Sequence, residues 1–149
     1  SPSFRTQTLT ALVEMLDDHS EIRFSGTTNG AETHKMSILW MPDGYQIGLE
    51  EFDESRMIIS AEGENGESLN VAATAISESR SYSFDTEGAT EEPATVRGNE
   101  AVVYQVKTED EDKVTVLWTD IEKGWIVRVT GYNISKEDML RISENVEIR

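Results

Sequence analysis

Between Glu100 and Gly131 the chain reads EAVVYQVKTEDEDKVTVLWTDIEKGWIVRVTG, and this stretch limits the fold more than any other. Apolar residues recur there at every second position, the repeat of a strand whose alternate side chains face opposite sides of a sheet. Val102, Tyr104 and Val106 are expected on one face, as are Val114, Val116 and Trp118, and likewise Trp125, Val127 and Val129. The polar breaks EDED and EKG separate the runs at hairpin distance. Three such runs make an antiparallel meander with one buried side, and Trp118 and Trp125 are expected in its core.

The meander runs straight into a helix signal, NISKEDMLRISENV. Ser135 is placed to cap the helix, Asp138 holds the capping-box position, and Ile134 and Met139 have the spacing of a hydrophobic staple. Met139, Ile142 and Val146 then line one face. At the other end of the chain, Leu9, Leu12, Val13 and Leu16 in TLTALVEMLDD repeat at helical spacing, with Thr8 as cap and DDHS as the stop.

Between the two helices the period is again two. EIRFSG, HKMSILWM, YQIGLEEF, RMIISAEGE and ESLNVAATAIS read as strands, the last with Leu69, Val71, Ala73 and Ala75 on one face. PDG at 42–44 and the Asn65-Gly66 pair read as turns, the second predicting a tight hairpin. ESRSYSFDTEGATEEPAT has no sustained period and is expected to be a long surface connection before TVRG opens the meander. The fold expected is α+β: a twisted antiparallel sheet of about seven to nine strands, with an N-terminal and a C-terminal helix packed on one face. At 149 residues the chain has room for one domain, 1–149.

Charge narrows the partners. Lys and Arg total 13 against 29 Asp and Glu, a net charge of -16, so nucleic acid and direct membrane binding by this segment are disfavoured. No cysteine is present, which removes thiolate chemistry and disulfides. No window reaches the length of a spanning helix, and the N-terminal SPSFRTQT has no apolar signal core. A start without Met leads us to expect a cut piece, from which a signal, an anchor or a partner domain has been removed upstream.

Catalytic signals are sparse. His19 and His34 are isolated and read as surface residues, one at a helix end and one at a strand start. There is no serine elbow, phosphate loop or dinucleotide fingerprint, so no catalytic residue, metal or cofactor is expected. Paired carboxylates remain open, with Glu50, Glu51 and Asp53 as candidates, since glycoside hydrolysis needs only two. DEDK at 110–113 lacks the spaced ligands of a calcium loop and reads as a solvated turn. NIS at 133–135 fits a glycosylation acceptor, although its Ser is already used as a cap. Trp40, Tyr45, Tyr82 and Phe84 are the candidate ligand or partner residues.

The order of MPDGYQI, FDTEGA, TVRGNEAVVY, VLWTD and GWIVRVTGYNISKEDMLRISENV resembles the Gram-positive domain-of-unknown-function family four-three-six-seven, over residues 40–146. Pro42, Gly44 and Tyr45 match its turn, and Asp85, Thr86 and Glu87 its acidic loop. Gly98, Leu117, Trp118, Thr130, Gly131, Ser135 and Glu137 match its closing half. Trp125 and Ser143 depart from it, where a smaller aromatic residue and Ala are expected. The resemblance implies the outer, C-terminal part of a membrane-anchored protein, often one with an anti-sigma-factor-like or sporulation-related N-terminal half. It supplies no catalytic residues.

Three functions stay open. The first is a non-enzymatic extracytoplasmic sensing or interaction domain, with a protein partner or cell-envelope ligand and an anchor upstream. The second is a carrier of an apolar ligand held between sheet and helix, and the third is a carboxylate-dependent hydrolase. A cavity lined by Trp and Tyr would favour the second, and two converging buried acids the third.

Overall fold

The structure, a computed structural model, describes residues 19–24, 34–76, 80–85, 88–120 and 122–149, with 19–24 and 80–85 described through their backbone. The strands begin with β1 (His19–Phe24) and β2 (Met36–Ile38). A first meander follows, β3 (Gln46–Phe52), β4 (Arg56–Glu62) and β5 (Ser68–Ala75). After β6 (Arg80–Asp85) comes a second, β7 (Thr90–Val96), β8 (Asn99–Lys107), β9 (Asp112–Asp120) and β10 (Trp125–Tyr132). Helix α1 (Lys136–Glu144) and β11 (Val146–Ile148) close the chain. The last strands of the two meanders pair, so one seven-stranded antiparallel sheet runs β3, β4, β5, β10, β9, β8, β7. Two small antiparallel pairs, β1 with β6 and β11 with β2, complete the strands.

The core lies under one face of this sheet. Val114, Val116 and Trp118 of β9 meet Val127 and Val129 of β10, in the register Trp118 opposite Val127 and Val116 opposite Val129. Trp118 and Trp125 are buried as the spacing predicts. Helix α1 covers this face because its cap and stripe are both satisfied. Ser135 Oγ accepts from the Asp138 N–H at 3.1 Å, and Met139 and Ile142 reach zero exposure. The helix sits close to the sheet at Gly131, whose missing Cβ leaves room for Met139 and Ile134. Val146, read as the last residue of the helical stripe, belongs instead to β11; its side chain still joins the core.

Several expectations are corrected. The connection expected over 78–95 contains β6 and most of β7. β7 shows no alternation because six of its seven residues are exposed or half-buried, on a sheet edge where both phases meet water. Pro93 stands in that edge strand, where the missing N–H is tolerated. His19 opens β1 and does not end a helix. The hairpin between β4 and β5 forms, but its paired rungs end at Glu62 and Ser68, so Asn65 and Gly66 sit in a longer loop. The N-terminal helix expected around Leu9 to Leu16 lies outside the described residues.

The largest correction concerns the faces. Val102 and Tyr104 were expected to share the buried side with Val116 and Trp118, but Ala101 pairs with Trp118 and Val103 with Val116. Ala101 and Val103 therefore point to the core, the small Ala beside the bulky Trp. Ala72, Val102, Tyr104, Leu117 and Ile126 face the opposite side and are buried there as well. The centre of the sheet is covered on both faces.

Candidate functional site

The two edge strands do not follow this burial, and β3 departs from it furthest. Every residue of β3 is exposed, and among the described residues it pairs on one side alone, with β4. Its apolar side chains are large: Ile47, Leu49 and Phe52 are 43%, 42% and 39% exposed. The register shifts between Ile47 and Leu49, which marks a bulge at Gly48. Ile47 stands opposite Ala61 and Phe52 opposite Met57, on the core side of the sheet, whereas Leu49 stands opposite Ser60 on the other side. The bulge thus turns apolar side chains to both faces of one edge. Beside it is an open cleft of about 590 Å³, reaching from Gly44 and Ile47 to Glu62 and Glu64.

The loop that leads into β3 is fixed from within. Tyr45 N–H donates to the Pro42 carbonyl at 3.4 Å, and Gly44 takes φ +86°, a left-handed turn that a side chain would strain. At the far end, Asp53 Oδ1 accepts from the N–H groups of Ser55 and Arg56, both at 2.8 Å. These two bonds, ahead of the Ser55 hydroxyl and the Arg56 charge, hold the Asp53 carboxyl below its ordinary pKa.

A family model described as a domain of unknown function (DUF4367) matches residues 35–146. The chain belongs to this family. No curated protein and no solved structure matches it. The matched span begins before β2 and ends at the first residue of β11, so the DUF4367 domain holds both meanders and the capping helix.

Within the DUF4367 domain, two of the four candidate aromatic residues come together against the core. Trp40 and Tyr45 are half-buried and pack on the hydrophobic cluster beneath the helix. The Arg141 guanidinium lies 4.0 Å from the centre of the Trp40 ring, a cation–π contact that closes its outer face. Burial pushes the Tyr45 phenol up to about 12, with Glu67 and Asp138 adding to the shift. Both rings seal the edge of the core. Tyr82 and Phe84 lie in β6, opposite Ile22 and Ser20 of β1.

The carboxylate candidates do not converge. Glu50 is opposite Ile59 and Glu51 opposite Ile58, so their side chains leave opposite faces of the strand, and Asp53 is occupied with its turn. Of the clefts, one of about 330 Å³ touches Trp118, yet Arg97, Asn99, Asp120 and Lys123 also line it, a polar wall unsuited to an apolar ligand. His34, read from the sequence as a surface residue, is half-buried, with its ring edge-on to Trp125 at 5.4 Å. Among the described residues no cluster of His, Cys, Asp or Glu could hold a metal ion, and no helix is long and apolar enough to cross a membrane.

Asn133 of the NIS triplet adopts φ 61° and donates its side-chain amide to the Gly66 carbonyl at 3.2 Å. That bond ties the helix entry to the β4–β5 loop. The sequence signal was present, since Asn tolerates the left-handed region, but it was read as an acceptor triplet. The exposed edge itself was missed: YQIGLEEF was read as one strand among several, and nothing within eight residues says which neighbour a strand lacks.

Proposed function

We propose that this domain is a non-enzymatic protein-interaction and sensing module that presents the β3 edge to a partner outside the cytoplasm. The supporting observation is that edge: a strand exposed throughout, with Ile47, Leu49 and Phe52 open to solvent on a sheet whose centre is buried on both faces. Exposed apolar side chains grouped on one element mark interaction surfaces more often than scattered ones do. The extracytoplasmic site, reached through an upstream anchor and in an anti-sigma-factor-like setting, is part of the same reading and follows from what the resemblance drawn in the sequence implies.

The test is cross-linking in the native host. A photoactivatable residue at Leu49 or Phe52 should trap one discrete protein, and the same residue at Glu109, in the distant β8–β9 turn, should not. Equal capture from both places, or none from β3, refutes the interaction reading. Protease added to intact cells should remove the domain, and full protection would refute its outer location.

A further inference from the structure

We propose that the β3 edge is completed by an extended, basic segment of a partner protein, added as an eighth strand of the sheet. The proposal rests on the interaction reading above and narrows it to one mode and one class of occupant.

The seven-stranded sheet has two edges, β3 and β7. β7 is a poor template. Pro93 carries no N–H, and the strand is tied to the helix: Lys136 pairs with Glu92, and just past the strand the Arg97 N–H donates to the Glu144 carboxylate at 3.0 Å. β3 contains no proline and offers seven residues of backbone along its outer side. A Cβ added at Gly48 would meet nothing within 4 Å, so another backbone can approach the bulge closely. An added strand would cover Ile47 and Phe52 on one face and Leu49 on the other, burying what β4 leaves exposed.

The charge chooses the occupant. No Lys or Arg stands between Lys35 and Arg56, whereas Asp43, Glu50, Glu51, Asp53 and Glu54 do. Glu50 and Glu51 project to opposite faces of the strand, and Glu62 and Glu64 border the adjoining cleft. A strand laid against this edge meets carboxylates on both of its faces. Like charges opposite one another are destabilising in a sheet, and opposite charges are favourable. A second copy of the chain is therefore a poor partner. Antiparallel pairing of β3 with itself along its full length sets Glu50 opposite Gly48 and Glu51 opposite Ile47, so its carboxylates meet no cation, between molecules that each carry -16. A strand that carries both Lys or Arg and apolar residues on each of its faces satisfies the carboxylates and the exposed Ile47, Leu49 and Phe52 together.

The experiment uses the whole chain, isotope-labelled for amide NMR, and three synthetic peptides about as long as β3. One repeats Lys-Lys-Val-Val, so that each face carries both residue types, one repeats Glu-Glu-Val-Val, and the third is the Lys peptide N-methylated at alternate residues. The Lys peptide should shift amides of β3 and β4, and the Glu peptide should not. N-methylation, which removes main-chain donors, should weaken binding at least about tenfold, and Glu51→Lys should weaken it roughly fivefold.

Equal binding of the methylated peptide, or shifts spread over the whole acidic surface, would mean simple charge attraction and overturn strand addition. Equal binding of the Glu peptide would overturn the basic class. Concentration-dependent broadening of β3 without peptide would make a second copy the occupant. If no peptide binds while Leu49 still cross-links a discrete protein, the interaction reading stands and this proposal falls.

Discussion

Gly131 is where the helix comes closest to the sheet, and enlarging it tests whether that approach holds the two layers together. A Cβ built there lies well inside contact with Met139 Sδ, and 3.0 Å and 3.1 Å from Met139 Cε and Ile134 Cδ1. Met139 has no exposed surface, so its sulfur can move aside only by displacing its neighbours in the core. Overpacking of this kind costs about 1–3 kcal/mol, and alanine regains about 0.5–1 kcal/mol over glycine in a strand. Gly131→Ala should therefore destabilise by roughly 0–2.5 kcal/mol. Met139→Ala removes a buried side chain and should cost about 2–5 kcal/mol. In the double variant the new methyl enters the space Met139 leaves. The strain disappears and alanine's conformational gain remains, so the pair should cost less than Met139→Ala alone. Urea melts of the four proteins at constant m-value give the coupling, expected at about 1–3 kcal/mol in favour of the double variant. Additivity within about 0.5 kcal/mol would show that Gly131 is not a contact point, and the helix placement would need another explanation.

Asn133→Gly should keep the left-handed turn and lose only the bond to Gly66, whereas Asn133→Ala should be worse by roughly 1 kcal/mol, because a Cβ is strained at positive φ; equal urea midpoints would refute this. One of the four tyrosines should titrate near pH 12 by absorbance, a phase that Tyr45→Phe removes. Because that phenol's folded pKa is raised, its contribution to stability is present at neutral pH and lost as pH climbs from 10 towards 12, and a flat difference between wild type and Tyr45→Phe across that range would refute the assignment. The Asp53 carboxyl is shifted the other way, so its stabilisation is present above the ordinary carboxylate pKa and lost as pH falls through the lowered one. Asp53→Ala should lower Tm at pH 7 and converge on wild type once the pH has fallen through the lowered carboxyl pKa, and a gap that persists in stronger acid would point to a role other than the charged turn.

How much of this was legible follows from what each signal depends on. The second meander declared itself because Val114, Val116, Trp118, Val127 and Val129 all face a core, and a shared environment imposes a shared period. The helix start was legible for a local reason, since Ser135, Asp138 and Met139 act within one turn. β7 escaped because an edge strand exposed on both sides carries no period to read. The two-sided burial was also visible in part. Val102 with Val103, Leu117 with Trp118, and Trp125 with Ile126 are adjacent apolar pairs, the pattern of strands covered on both faces, and a one-sided meander cannot hide both members. Of the four candidate aromatic residues, Trp40 and Tyr45 pack half-buried against the core, a placement that ring chemistry alone does not reveal.

The exposed edge was beyond the reach of local reading because it is a consequence of topology. Each meander pairs its own strands in order, and the two join through their last members, β5 and β10. The first member of each, β3 and β7, is then left outside by necessity. Both edges must be kept from pairing with other copies, and the chain treats them differently. β7 is protected by Pro93 and by its ties to the helix, which discourage any added strand. β3 keeps its backbone and its apolar side chains and is guarded by acids on both faces. Proline excludes every partner alike, whereas carboxylates exclude only partners of their own sign. The same Glu50 and Glu51 that keep two copies apart would attract a basic strand, so protection against self-association and choice of partner reside in the same residues.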